Sequence, residues 1–525
     1  MQDMNKKHKT VQTKGFNELI NSKAYFILVC ISLGFLLCGE IITNVDGDIL
    51  WHYKLGEEIA LNHTVSTIDS FSWQPGITWI QHEWLYDLIL YFIVKHLDFL
   101  GFIILYIVNQ ATTIYVAGVK NKATSDRLFY LIATISLLIV PKNCCNRPAE
   151  FSVWIIVLLI ELYKNQKSKY NILWYSLIGI FTANFHGGLL MILITTQLIM
   201  IITELVIDKT DRLKNAITKL SWLAAMVLAS TINPTGYHLL FNIFKVQSLK
   251  STPYIQEWQP VEMNLGLGIL ITLIVISLGY TLKKENFSKQ NCINIALISG
   301  YLILGLTSQK ALIIFLYIWL MNGYKYTREF ITDFLRKIDT IQKTAKKTAE
   351  RKVDKTAESI KEKLKNIKVI EPALVVMMLS IGIIMATSES SFNDYINKGT
   401  SLKVIKYLKD NNDTEAKICN SYTWGNYLIY NNINCFVDSR QHPYTKELGG
   451  NTSLDELINV CNTRNKEDIK KFIDKYEFDY VITSNELNIS WYMEQDARFE
   501  KVVTDDIINQ VKEKDKIILW KRKES

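Results

Sequence analysis

The chain lacks most of what marks soluble nucleotide-driven or metal-stapled proteins. Of its 525 residues only 8 are proline and 8 are cysteine. No Cys-x-x-Cys pair and no Cys/His spacing suits a structural zinc site. Cys144 and Cys145 are adjacent, a spacing too strained for an ordinary disulfide. Cys30, Cys38 and Cys292 fall in or beside apolar runs, where a thiol packs as a small hydrophobe. Cys419 and Cys435 flank a strand-like stretch and could pair, which would leave Cys461 over. There is no Walker loop and no dinucleotide fingerprint, so a soluble nucleotide-fuelled reaction has no support. No RNA- or DNA-binding pattern accompanies the basic residues, which argues against nucleic acid as a partner. The long apolar runs also lack the alternation of strands. In a bilayer that leaves helices, the other structure that satisfies its own backbone.

What is present is hydrophobic length. Apolar residues make up 49% of the chain, and runs long enough to cross the hydrocarbon layer at about 1.5 Å per residue recur from residue 24 to residue 323. Eleven spans are predicted: 24–43, 101–119, 128–141, 149–163, 171–185, 188–208, 217–232, 265–281, 291–306, 308–323 and 370–387. The first reads as a signal anchor, since Leu36-Leu37-Cys38-Gly39 is a poor cleavage site behind a long basic leader, residues 1–23. The apolar segment 85–97 is interrupted by Asp87, Lys95 and His96. It is read with residues 82–84 as an amphipathic helix at the interface.

Charge orients the spans. Net charge is +8, and residues 325–368 alone hold 14 Lys/Arg against 7 Asp/Glu. With that stretch inside, the loops bearing Lys120–Arg127, Lys164–Lys169, Lys209–Lys214 and Lys283–Lys284 also fall inside. The expected protein is a multi-pass plasma-membrane protein with a cytoplasmic N-terminus. Its domains are a transmembrane part, 24–323, with long outer loops 44–100 and 233–264; a charged cytoplasmic helical insertion, 324–369; a last span, 370–387; and an extracytoplasmic α/β domain, 388–525. In that last domain, strands are expected at 416–419, 427–430, 435–437, 480–483 and 517–520, and helices at 401–410 and 466–476.

This topology puts the chemistry-capable residues on the outer side. Asp46 and Asp48 lie one residue apart just past a span, followed by Trp51 and His52. Such a pair suits a general base or a divalent-cation ligand, Mg or Mn, although it also suits a polar helix cap. An inverting sugar transfer needs one carboxylate near the acceptor hydroxyl and a cation to neutralise a lipid-phosphate leaving group. His82 and Glu83 stand at a helix start among Trp73, Trp79 and Trp84, as a cap or as part of an acceptor or lipid-phosphate cleft. Arg147 suits bidentate phosphate binding. His186 precedes a Gly-Gly turn, Glu257 offers another carboxylate, and Lys310 lies near the outer end of a span.

In their order these motifs resemble the GT-C superfamily of multi-pass, lipid-dependent glycosyltransferases, and within it a bacterial branch. The resemblance is carried by Asp46, Asp48, Trp51, His52 and Gly56; by Asp69, Phe71, Ser72, Trp79, His82, Glu83 and Trp84; and by Arg147-Pro148, Asn184, His186-Gly187-Gly188, Asn233-Pro234, Gly236 and Glu257-Trp258. In the last domain it rests on Trp424-Gly425, Tyr427-Leu428-Ile429, Asp438 and Arg440. It implies transfer of a sugar from a polyprenyl-phosphate donor to a glycan, lipid or protein acceptor on the outer face. The catalytic or metal-binding carboxylate would be Asp48 or Asp46. Arg147, His186 and Lys310 would meet the lipid phosphate, and His52, His82, Glu83 and Glu257 would contact substrate. The resemblance leads one to expect an arginine where Lys310 stands. A transporter or flippase of lipid-linked saccharide needs polar residues through to the other side, and a scaffold needs no Asp48.

Overall fold

The computed structural model describes residues 22–43, 45–139, 147–165, 169–208, 210–246, 258–284, 288–348, 372, 374–384, 387, 391–398, 400–448, 450–484, 488–508 and 514–524. Cys144, Cys145, Glu257 and most of the charged stretch after residue 348 lie outside them.

A helix stands at each place where a span is expected. In order these include α1 (Lys23–Thr43), α2 (Asp48–Asn62), α3 (Trp84–Lys120), α4 (Arg127–Ile139), α5 (Pro148–Lys164), α6 (Asn171–Phe185), α7 (Leu189–Ile207) and α8 (Arg212–Ala229). There follow α9 (His238–Val246), α10 (Leu265–Lys284), α11 (Lys289–Thr307), α12 (Gln309–Asn322), α13 (Tyr324–Thr348) and the apolar helix α14 (Leu374–Ile384). Among the described residues four helices are long and apolar enough to cross a membrane: α3, α7, α10 and α11. Large apolar side chains stay exposed at helical spacing, Leu100, Ile104 and Val108 on α3 and Leu131, Ile135 and Leu138 on α4. A surface of that kind belongs in lipid rather than water.

Local chemistry sets several boundaries. Pro148 occupies the first turn of α5, where its missing N–H costs nothing, behind an extended Arg147. The expected break between an interfacial helix and a span falls at Asp98, whose backbone (φ 50°, ψ −142°) interrupts α3. Its carboxylate accepts the N–H of Phe392 at 2.6 Å, which ties the break to the short helix α15 (Phe392–Asn397).

Beyond α15 the chain forms α16 (Leu402–Asp410), β1 (Ile418–Cys419), α17 (Tyr422–Tyr430), α18 (Ser453–Asn462), α19 (Lys466–Tyr476), β2 (Tyr480–Thr483), α20 (Asn488–Met493), β3 (Phe499–Ile508) and β4 (Lys514–Arg522). The strands make one sheet in the order β1-β2-β4-β3, with β1 parallel to β2 and the other pairs antiparallel. Three expectations need correction. Residues 427–430 are helical, because Gly425 lets α17 lie directly on the backbone of Val437 and Asp438, where a Cβ would meet Val437 O at 2.0 Å. Residues 435–437 form no strand beyond a single bridge from Cys435 to Ser72. Cys419 and Cys435 are both buried free thiols.

That bridge shows how the first loop is built. Residues 66–79 lie against the C-terminal sheet domain. The Trp73 indole donates to Ile418 O at 3.1 Å, and Gln74 donates to Phe436 O at 2.6 Å. Ile77 belongs to one apolar core of the C-terminal region, and Trp51, Leu55 and Trp79 to the other.

Candidate active site

Three polar clusters meet where the first loop, the start of α5, the α6–α7 junction and the C-terminal domain converge. The first holds the acidic pair. Asp46 Oδ1 accepts the N–H of Asp48 at 3.1 Å, which fixes the start of α2. Its two oxygens also take Nε and Nη2 of Arg147 at 2.6 and 2.7 Å, a bidentate pair. Arg147 Nη1 lies 2.8 Å from Asp48 Oδ2. The other oxygen of Asp48 accepts the Ser439 hydroxyl, which in turn accepts the Trp51 indole N–H at 3.1 Å. The pair is thus both a helix cap and an ionic clasp on Arg147, with a direct link to the C-terminal domain.

The second cluster surrounds Glu83, the residue before α3. Its side chain caps nothing. Three imidazole Nε2 atoms face its carboxylate: His186 at 3.5 Å, His52 at 3.9 Å and His82 at 3.9 Å. The opposite nitrogen of each ring is engaged. His52 Nδ1 meets Asp87 at 2.5 Å, His186 Nδ1 meets the Ser152 hydroxyl at 2.7 Å, and His82 Nδ1 meets the carbonyl of Ile80 at 3.2 Å. Burial, with Arg147, His82, Lys310 and His186 nearby, holds His52 well below the usual imidazole range. Burial, with Lys310 and His82, does the same to His186. Both rings are therefore neutral near pH 7.

Two close approaches assemble this cluster. Gly56 on α2 sits against Asp87 and Tyr91 of α3, where a Cβ would lie 2.1 Å from Asp87 O. One turn earlier, His52 can therefore reach Asp87. Gly187 donates its N–H to His82 O at 2.8 Å, and a Cβ there would crowd the His82 side chain. The Trp84 indole donates to Asn184 Oδ1 at 2.7 Å, and Asn184 donates to Ile232 O at 2.9 Å. Asn233 serves its own turn, donating to Ser230 O and Gly236 O.

The third cluster is buried. Arg440, with its side chain 1% exposed, pairs with Asp69 at 2.6 Å and Asp438 at 2.5 Å, lies over the rings of Trp79 and Phe71, and has Tyr444 beside it. The Asp-x-Phe-Ser and Asp-x-Arg motifs are two halves of this one fastening. Ser439, Asn426, Ser152, Asp87 and Tyr444 carry much of the site but stand out in no motif. Asp87, four residues after Glu83 on one helix face, reads in sequence only as an interruption of an apolar run.

The structure therefore gathers Asp46, Asp48, His52, His82, Glu83, Arg147 and His186, with Lys310 close enough to influence both His52 and His186. Glu257 lies outside the described residues. A divalent cation does not fit the acidic pair as it stands, because the guanidinium of Arg147 occupies the place between the carboxylates. Among the described residues no group of three or more His, Cys, Asp or Glu is arranged to hold a metal ion.

No family model matches the chain, and no curated protein does. Solved structures do. An oligosaccharyltransferase from Archaeoglobus fulgidus in its apo form superposes with a TM-score of 0.54 at 10% identity, over 87% of this chain and 69% of that one. The same enzyme, tethered by a disulfide to an acceptor peptide containing the NVT sequon, gives 0.55 at 10% identity over 88% and 69%. The chain shares the oligosaccharyltransferase fold. At that identity the likeness is one of architecture.

Proposed function

We propose that this chain is a membrane glycosyltransferase that moves a sugar from a polyprenyl-phosphate donor to an acceptor on the outer face of the membrane. The observation that carries the reading is the convergence of cationic and carboxylate groups at one end of a helical bundle with this fold. Arg147 and Lys310 supply positive charge for a lipid phosphate, and the carboxylates serve the acceptor. Asp46 and Asp48 hold Arg147 in place, and Asp48 couples it through Ser439 to the C-terminal domain.

A neighbouring cavity supports a lipid donor. It has a volume of about 760 Å³ and is lined by Trp84, Leu85, Leu177, Phe181, Asn184 and Ile232 among others. Trp84 follows Glu83 directly, so an apolar chain in this cavity would place its phosphate beside the polar clusters. The distribution of basic loops supports an outward-facing site.

The test is mass spectrometry of lipid-linked sugars and surface glycans in cells lacking the gene. Wild type is expected to restore a missing sugar. Asp48→Asn, present at equal level, is expected to lose most of it. A deletion that changes no glycan would count against the whole reading.

A further inference from the structure

We infer that α9 is a membrane-seated helix: Tyr237, Phe241 and Phe244 enter the leaflet on the side of the candidate site, and the partner of this face is the phospholipid surface. The inference rests on a surface and not on the chemistry of the polar clusters, so it stands or falls apart from the proposed reaction.

Length comes first. The 9 residues of α9 make about 13 Å of helix at 1.5 Å each, far short of a hydrocarbon layer of roughly 30 Å. The helix therefore does not cross. It follows α8 through the Asn233–Gly236 turn, which Asn233 closes on Gly236 O and where Gly236 takes φ 60°. Both sides of α9 are apolar, in different ways. Leu239 and Ile243 belong to the buried core of the bundle, and Asn242 is buried beside them. Tyr237, just before the helix, and Phe241 and Phe244 are 57–61% exposed. With 3.6 residues per turn these three fall within about 60° of arc, opposite Leu239 and Ile243. His238 and Lys245 are exposed on one flank of that stripe, where polar side chains reach headgroups.

The aromatic face is held outward. Leu239 lies against Gly187, where a Cβ would stand 3.0 Å from Leu239 Cδ1 and 2.9 Å from His82 Cβ. Residues Lys446–Leu448 of the C-terminal domain also pack on α9. Continuity says what covers the outward face. Leu177 and Phe181 on α6 and Leu228 and Ile232 at the end of α8 are exposed apolar residues of the bundle. Leu177, Phe181 and Ile232 also line the apolar cavity beside Trp84. Tyr237 follows Ile232 across one turn, so the aromatic stripe carries on the lipid-facing surface of α6 and α8. Aromatic rings favour the membrane–water boundary, and a helix lying there sinks its apolar face about 5–10 Å. Because Leu239 and the His82 side chain meet at Gly187, seating α9 in this way also sets the polar clusters near headgroup level.

The experiment uses the full chain in nanodiscs of phosphatidylethanolamine and phosphatidylglycerol, with the photoreactive p-benzoyl-phenylalanine in place of Phe241 or of Phe244. After illumination the intact mass should rise by that of one phospholipid. A covalent dimer of the chain, or recovery without any lipid adduct, would overturn the inference. In whole cells, an adduct to another protein in place of lipid would do the same. Should neither variant accumulate, hydroxyl-radical footprinting of the wild-type chain at one copy per nanodisc decides it. Trp491, on the C-terminal domain, is 45% exposed, less than any of the three α9 rings. It should be oxidised readily, while the peptide holding Tyr237, Phe241 and Phe244 should be oxidised at least fivefold less. Equal oxidation of the two would show that water covers α9. Failure of the glycosyltransferase reading would look different, because wild type would then restore no sugar while the lipid adduct still formed.

Discussion

At the scale of single residues, His442 shows what burial does to an ionisable ring. It is 4% exposed, and burial, with His82 and Arg440 nearby, pushes it down to about 3. In the unfolded chain it would titrate near 6.5. As pH falls from about 6.5, the unfolded state takes up a proton that the folded state refuses until about 3. Stability is therefore lost through that window, with a slope approaching 1.4 kcal/mol per pH unit, and is level above it. Asp438 adds a loss of the same sign at lower pH. Burial raises it, but Arg440 and Tyr444 outweigh burial and hold it below the usual carboxylate range. Its stabilising charge is present above about pH 4 and disappears as the folded-state value is crossed. Thermal unfolding between pH 4 and pH 8 should show the fall, and His442→Gln should make it shallower above pH 4, with His52 and His186 keeping the rest.

At the scale of elements, the geometry of the polar clusters depends on how closely two helices approach. α2 meets α3 at Gly56, and the His52–Asp87 contact lies one turn away on the same face. Gly56→Ala puts a methyl group against the α3 backbone, an overpacking that costs about 1–3 kcal/mol. The expected outcome is a lower melting temperature together with a loss of transfer beyond what reduced protein level explains. Activity normalised to folded protein checks this. The helices themselves were largely legible, because apolar length and flanking charge are one-dimensional signals. The strands at 480–483 and 517–520 were legible in the same way. The stretch 427–430, Tyr-Leu-Ile-Tyr, reads as a strand by composition, yet it is helical because a glycine contact on Val437 decides its packing.

For the whole molecule, the buried fastening of Asp69, Asp438 and Arg440 joins the first loop to the C-terminal domain. Arg440→Leu would leave two buried carboxylates without their cation, a loss of about 3–5 kcal/mol. The chain should accumulate poorly and melt early. Asp69→Asn, which leaves one ion pair in place, should do less harm. A second buried cluster lies far from the site. On α7, Glu204 binds Lys219, Lys289 and Tyr163 about 22 Å along the helix from the His186 end, at 1.5 Å per residue. These residues lie on four separate helices, so no local pattern announces them, and the sequence places chemistry-capable groups at one end of the bundle only.

By itself the sequence determined most of the helical stretches, which loops carry charge, and where Asp46, Asp48, Arg147, His186 and the His82–Glu83 pair stand along the chain. Those properties follow from hydrophobic length, helical period and residue type along the chain. Only the tertiary structure decided which carboxylates are already bonded and which is not. Asp48 meets Ser439 across 391 positions of sequence, Arg440 meets Asp69 across 371, and Glu83 is left among three ring nitrogens drawn from separate segments. A carboxylate's role as base, clasp or cap is set by the donors within about 3 Å of its oxygens. Donors brought from so far along the chain are fixed only when the helices and the C-terminal domain have packed.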